Sequence, residues 1–365
     1  MTIYSKFWPS GGLPGILHHY TESLVTFEFT TATTPKPHSV LFVGGLGDGL
    51  ATTSYMADLA RALQPTDWSL FTLNLTSSYS AWGLGHLDRD TDEIAQCLNY
   101  IKDYKSGKFS TANAVIENEK RKIVLMGHST GSQCVLHYLT KPNPHTSAKA
   151  FDSDLAHTLR PFLDGAIMQA PVSDREAIQW VLSQGWMGQT PAEVTKVYKD
   201  LEKLATEEVA KHADPNFDTL LPLHMTGVIG YPGNVPLSAR RFLSLVSPKT
   251  PHEPGEDDLF SSDLGEEQWK KTFGVIREKG LLGGKLMVLI SGSDQAMPGW
   301  VDKGALLEKW KKVVDENQPK EKEIWHEDSG LIPGASHALS NDDQAEPRKN
   351  LVERVMRYLK GVEGQ

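Results

Sequence analysis

The sequence predicts an α/β protein with a mainly parallel central sheet, helices on both faces and a helical cap inserted late in the chain. Three observations carry that expectation. Short apolar runs alternate with helix-length amphipathic stretches, the pattern of a parallel sheet covered on both sides. One run, Lys122–Met126, ends in Gly127-His128-Ser129-Thr130-Gly131 and passes directly into the helix-forming stretch Ser132–Thr140. The 365 residues, 39% hydrophobic and 8% aromatic, suit one large domain carrying an insertion better than a small domain.

Taken in order, Ile16–Tyr20 and Leu24–Phe29 read as an opening antiparallel pair, followed by the turn-rich Thr30–Pro37. Ser39–Val43 is apolar throughout after its first residue, as a strand buried on both faces must be. A glycine-rich loop follows, then a helix over Thr53–Leu63 that stops before Pro65. Trp68–Leu75 is the next strand, and Leu87–Tyr104 a helix with Leu87, Ile94, Leu98 and Ile101 near one face. After the 122–140 strand and helix come further strands at Asp164–Gln169 and Lys285–Ile290, and a less apolar one at Lys322–His326. The last helix runs from about Pro347 to Leu359, with Leu351, Val355 and Leu359 four apart.

Val172–Gly284 departs from that alternation. Ser173 and Glu176 have capping-box spacing before Ala177, Ile178, Val181 and Leu182, and Gly185 ends that helix. Thr190 and Glu193 repeat the box ahead of a helix carrying Val194, Val197, Tyr198, Leu201 and Leu204. A third helix is expected near Leu237–Val246, and Pro248–Gly265, rich in proline, glycine and acid, reads as a mobile loop. The expected organisation is a core of residues 1–171 and 285–365 with a cap at 172–284, because insertions above a sheet are where function collects.

The chemistry starts at Ser129. A strand-to-helix turn with glycines two residues either side of a serine is a nucleophile elbow, which holds the hydroxyl out of the fold. A hydroxyl is a poor nucleophile until a base takes its proton, and that base must be oriented by a third group. With this elbow the chain order is serine, acid, histidine. Asp294 follows the Lys285–Ile290 strand in Ser291-Gly292-Ser293-Asp294, and His337 closes the turn-rich Leu331–His337 stretch before the last helix. Asp174 is a rival acid, but its place in the first turn of a capped helix gives it a role against the helix dipole. His326 reads as a half-buried strand residue. His128 reads as packing or hydrogen-bonding below the elbow, not as the base, with its ring turned away from the serine.

The tetrahedral intermediate of acyl transfer puts negative charge on an oxygen, so two donors are needed. The backbone N–H of Thr130 is one, and the Gly44-Gly45-Leu46-Gly47-Asp48-Gly49 loop offers the Leu46 amide as the second. That loop lacks a following Lys-Ser/Thr and the G-x-G-x-x-G spacing, which argues against phosphate binding. The Ser77–Gly83 loop is a further pocket-lining candidate, with a structural role as the alternative.

Composition limits the setting. A net charge of −9, spread along the chain, recommends neither nucleic acid nor an anionic membrane as partner. Cys97 and Cys134, both in apparent helices, read as small buried hydrophobes and not as a disulfide framework. No Cys/His pairs stand at zinc spacing, and no metal or cofactor is called for. Met1–Pro9 lacks a charged-then-apolar leader and no apolar stretch approaches the ~18 residues of a membrane span, so a cytoplasmic protein is expected and Asn74-Leu75-Thr76 reads as incidental. The sequence is silent on oligomeric state.

The Val43–Gly49 loop, the Ser77–Trp82 loop, the Gly127–Gly131 elbow and Gly334-Ala335-Ser336-His337 together resemble an α/β-hydrolase family known mainly from fungi and also from protozoa, long catalogued as uncharacterised. The similarity runs nearly the full length and is weakest over Val172–Gly284. Some fungal members are intracellular siderophore esterases that cleave fusarinine-type hydroxamate chelators so that bound iron is released. The resemblance implies the α/β-hydrolase fold, Ser129, Asp294 and His337 as catalytic triad, and a small-molecule ester, a ferric siderophore among the candidates, as substrate. The alternatives are a lipase, thioesterase or acyltransferase using the same triad, and a non-catalytic binding protein of the same fold.

Overall fold

A computed structural model describes residues 12–108, 121–144, 152, 154–211 and 218–364. Strands β1 (Gly15–His19), β2 (Val25–Phe29), β3 (His38–Val43), β4 (Trp68–Leu73), β5 (Ile123–His128), β6 (Gly165–Gln169), β7 (Leu286–Ser291) and β8 (Gly330–Ile332) form one sheet in the order β1-β2-β4-β3-β5-β6-β7-β8. β2 is antiparallel to both β1 and β4, and all other pairings are parallel. From β3 the chain steps outward to β4 and then returns to the other side of β3 for β5. Connections therefore diverge above the β3–β5 pair, which opens a crevice at the C-terminal ends of these strands. Val43 and Gly127 face each other across that pair.

Both faces are covered, so the central strands are apolar without alternation. Val40, Phe42, Val124 and Met126 pack under α1 (Met56–Leu63) and α11 (Ala345–Glu363). Leu41, Val43 and Leu125 pack on the opposite face under α2 (Leu87–Lys105), α3 (Thr130–Thr140) and α10 (Lys303–Val314). Lys105, at the end of α2, reaches Glu28 of β2 at 2.6 Å in a buried ion pair and ties that helix to the antiparallel edge.

The expected strand at Lys322–His326 does not form. Lys320–Lys322 make a single 3-10 turn, and Trp325 contributes only an isolated bridge to Leu286. The bridge is made by the Leu286 and His326 N–H groups. The Asp315 carboxylate accepts the N–H groups of Ile324 (2.8 Å) and Trp325 (3.3 Å), so the Ile324 donor that would extend the ladder is taken by a side chain. The edge strand is instead β8, paired with β7 from Leu289–Gly330 onward.

Beyond β6, α4 (Asp174–Gln184), α5 (Pro191–Lys211), α6 (Leu223–Val228) and α7 (Ala239–Val246) enclose a separate apolar cluster that includes Ile178, Val181, Val194, Leu201, Leu237 and Phe242. Thr190 and Glu193 form the full reciprocal cap. Ser173 caps α4 through the Glu176 N–H at 3.1 Å, but the Glu176 carboxylate turns away to the backbone N–H and the hydroxyl of Ser262. The later part of the insertion packs differently. Phe260, Trp269 of α8 (Glu266–Lys271), Phe273 and Ile276 of α9 (Ile276–Lys279) join the sheet-side core, where Phe273 stacks on Trp310 at 5.2 Å.

The 248–265 stretch, expected to be mobile, is coil that is firmly anchored. Arg241 of α7 donates Nη1 to both oxygens of Asp257 at 2.6 and 2.7 Å, with both side chains almost fully buried. Asp258 accepts hydroxyl hydrogen bonds from Thr250 and Ser261. The acidic residues that suggested exposure are thus the residues that pin the segment. Removing one member of a buried pair strands its partner's charge. Asp257→Ala is expected to lose about 3 kcal/mol of unfolding free energy in urea titration, and the Arg241→Met/Asp257→Leu double variant distinctly less.

Candidate active site

The serine sits where β5 meets α3. Ser129 has φ 54° and ψ −121°, a conformation that costs an L-residue about 1–3 kcal/mol and persists only where its surroundings over-determine it. Here its N–H donates to the Gln169 carbonyl at 2.9 Å, and its carbonyl accepts the Ser132 N–H at 2.8 Å. The flanking glycines are a matter of space. A Cβ on Gly127 would lie 2.0 Å from the Gly131 carbonyl oxygen, and one on Gly131 would lie 2.2 Å from the Val43 carbonyl oxygen in β3.

The two other predicted residues arrive from neighbouring strand ends. Asp294 lies in the turn after β7, its side chain fully buried, with Oδ1 accepting the Ala296 N–H at 2.9 Å. His337 lies in the loop after β8. Two backbone bonds clamp those loops together, Gly292 N–H to the Ile332 carbonyl (2.9 Å) and Ser293 N–H to the Ala335 carbonyl (2.8 Å). The Gln295 side chain also accepts the His337 N–H at 2.9 Å. As a result His337 Nδ1 stands 2.8 and 3.0 Å from the Asp294 oxygens, and its Nε2 stands 2.9 Å from Ser129 Oγ. Ser129, His337 and Asp294 therefore come within proton-passing reach, with the acid at one ring nitrogen and the hydroxyl at the other.

The loop after β3 closes over this group from the other side. A Cβ on Gly45 would lie 2.8 Å from Ser129 Cβ, so the backbone just before Leu46 passes against the nucleophile at the smallest separation a side chain permits. Asp48 shapes the turn, its Oδ2 accepting the Gly45 N–H at 3.0 Å and the Thr53 hydroxyl at 2.8 Å. Leu46 follows Gly45 in this loop, Thr130 opens α3 directly after Ser129, and both line one cavity. The Ser77–Gly83 loop braces this turn: the Tyr79 N–H donates to the Asp48 carbonyl at 3.0 Å, and the Tyr79 hydroxyl accepts the Leu50 N–H at 3.0 Å.

The rivals take other places. Asp174, half-buried, accepts from Gln133 Nε2 at 2.9 Å, and desolvation pushes its carboxyl up to about 6. His326 is half-buried against Tyr358 at 4.8 Å and accepts the Asp328 N–H. His128 hydrogen-bonds below the elbow as expected, its Nδ1 2.5 Å from Gln169 Oε1, and its ring stands 5.1 Å from that of His337. Gln169 and Asp48 were not anticipated. Gln169 carried a usable signal, a lone polar residue closing an apolar strand at the end where sites assemble.

Among the described residues, His86, Asp88 and Glu256 bring ligand-type atoms within 4.8 Å of one another. These atoms are already engaged: His86 Nε2 with Asp152 at 2.8 Å, His86 Nδ1 with the Arg89 N–H, and Asp88 with His137 at 2.6 Å. They join α2 to α3 and to residue 152. No helix among the described residues is long and apolar enough to cross a membrane.

A family model described as "Protein of unknown function (DUF1749)" matches residues 8–360. The chain is 67% identical over 360 residues, 99% of either chain, to the fusarinine C esterase sidJ of Aspergillus fumigatus. Among solved structures it superposes on the siderophore hydrolase EstB from Aspergillus fumigatus with a TM-score of 0.84 and 65% identity, covering 97% of this chain and 99% of that one. A protein described as an α/β-hydrolase fold protein of unknown function follows at a TM-score of 0.52 and 14% identity, covering 95% of this chain and 96% of that one. The fold is that of the α/β-hydrolases.

The glycine contacts generate a paired test. Gly131→Ala meets backbone that cannot move aside and is expected to lose about 3 kcal/mol of stability. Gly361→Ala, in α11 with nothing within 4 Å of the added methyl, is expected to gain up to about 1 kcal/mol. Thermal or urea unfolding of the two variants reads both signs.

Proposed function

This chain belongs to the DUF1749 family, and from that premise we propose that it is a serine esterase hydrolysing carboxylic esters of fusarinine-type hydroxamate siderophores. The observation that carries the reaction class is the pair of contacts at His337, 2.9 Å to Ser129 Oγ and 2.8 Å to Asp294. The observation that supports the substrate is near-identity of length with, and 67% identity to, a fusarinine C esterase. Iron enters this scheme as part of the substrate. The reading includes a cytoplasmic location and a role in iron release.

The mechanism follows from the geometry. His337 Nε2 takes the Ser129 hydroxyl proton as Oγ attacks the ester carbonyl carbon. Asp294, accepting from Nδ1–H, holds the ring in the tautomer that leaves Nε2 free and stabilises the imidazolium. The backbone N–H groups of Leu46 and Thr130 donate to the oxyanion of the tetrahedral intermediate. Collapse breaks the ester C–O bond, and Nε2–H returns its proton to the leaving alkoxide, giving the alcohol. Water then attacks the acyl-enzyme with His337 again as base, releasing the carboxylic acid and regenerating the serine. The 172–284 insertion serves as the cap, and its α4–α7 layer, with its own apolar cluster, is the part that selects the acyl and alcohol groups.

Ser129→Ala is expected to abolish labelling by a fluorophosphonate probe while leaving the circular dichroism spectrum unchanged, and Asp294→Asn to lower kcat by about 10³–10⁴-fold. Wild-type turnover of ferric fusarinine should exceed that of p-nitrophenyl esters and acyl-CoA. Undiminished labelling of the alanine variant would eliminate this nucleophile. Absence of any fusarinine hydrolysis by a protein that still labels would eliminate the siderophore and leave the esterase.

A further inference from the structure

Gln169, the last residue of β6, is fully buried and bonds to several of the residues around Ser129. Its carbonyl accepts the Ser129 N–H at 2.9 Å and the Ser132 hydroxyl at 3.0 Å, which holds the elbow. Its Oε1 accepts from the Tyr55 hydroxyl at 2.9 Å and stands 2.5 Å from His128 Nδ1. Its Nε2 donates to Ser291 Oγ at 3.0 Å, and the Ser291 hydroxyl donates in turn to the His337 carbonyl at 3.4 Å.

The direction of each bond follows from the donor inventory. An amide oxygen only accepts, so His128 Nδ1 must carry a proton, and the neutral ring is left with a bare Nε2. Tyr55, edge-on to the His128 ring at 5.8 Å, keeps that ring from rotating. Burial, and after it the neighbouring His337, push the His128 pKa down to about 4. An uncharged ring 5.1 Å from His337 matters because His337 becomes a cation in the tetrahedral step. A second imidazolium at that distance would oppose proton transfer from Ser129.

We propose that Gln169 is a positioning residue for the reaction at Ser129: one amide fixes the His128 tautomer and, through Ser291, ties the backbone of His337 to the strand end that holds the nucleophile. The inference rests on the esterase reading, and it adds a residue that touches neither substrate nor the reacting atoms. Gln169 does through hydrogen bonds what chain connectivity cannot, since β5, β6, β7 and the loop after β8 meet here from distant parts of the sequence.

The test combines a spectroscopic signature with kinetics counted per competent site. In the wild type, ¹⁵N-histidine spectra at neutral pH should show His128 neutral, protonated at Nδ1 and bare at Nε2. Gln169→Met removes the acceptor and should lose that signature, whereas Ser291→Ala should keep it. Fluorophosphonate titration counts active sites in each protein. Per titrated site, both variants are expected to lower kcat about 10–100-fold with KM within about threefold, the cost of small misplacements in a preorganised site.

A wild-type His128 protonated at Nε2, or charged, would overturn the tautomer assignment without needing any variant. Unchanged kcat per titrated site in Ser291→Ala, the milder change, would overturn the tie to His337 even if Gln169→Met fails to fold. Failure of the wild type itself to react with the probe would instead sink the esterase reading, so the two failures are distinguishable.

Discussion

The turn at Ser129 is the constraint around which the rest is arranged. A serine with positive φ is tolerable only if its neighbours permit no alternative, and here they leave none. β3 presses its Val43 carbonyl against Gly131, the start of α3 presses against Gly127, and the β3 loop lies against the serine through Gly45. The contacts at Gly127 and Gly131 are with backbone, which cannot relax by changing a rotamer. The strain holds the hydroxyl proud of the sheet, in the crevice where connections above β3 and β5 diverge. The same close approach brings the backbone of the β3 loop at Gly45 against Ser129.

The site is otherwise held by polar groups buried at strand ends. Asp48 knots the loop after β3, Gln169 binds the elbow and its histidine neighbour, and backbone bonds lock the Asp294 and His337 loops together. Gln169 and Asp294 are buried and have their partners, because an unsatisfied buried group would cost about 1–3 kcal/mol. Such a network specifies one arrangement more sharply than apolar packing alone. Residues 172–284 use the same device, where the buried Arg241–Asp257 pair anchors the 248–265 segment to α7.

Much of this was legible in the sequence. Buried parallel strands show themselves as unbroken apolar runs, and Ser39–Val43, Trp68–Leu75 and Asp164–Gln169 needed little adjustment. The serine, acid and histidine were legible because each follows a strand in a fixed order. Capping residues marked the starts of α4 and α5. Other features were not legible. At Lys322–His326 the pairing with β7 stops after one bridge, and Asp315 takes the Ile324 N–H that a longer ladder would use. Along 248–265 the acids that marked a mobile loop include Asp257 and Asp258, which face a buried arginine and hydroxyls.

By itself the sequence determined what short-range pattern can encode: which runs enter the sheet, where the elbow turns, and which three side chain types follow which strands. Tertiary structure alone decided which groups those side chains meet. The pairing of His337 with Asp294 and not Asp174, the reach of His128 back toward His337, and the convergence on Gln169 depend on strand order, β4-β3-β5-β6-β7-β8. Strand order joins Ser129 and His337, which are 208 positions apart. No local periodicity reports such a separation, because the free energy that selects it comes from the packing of the whole sheet.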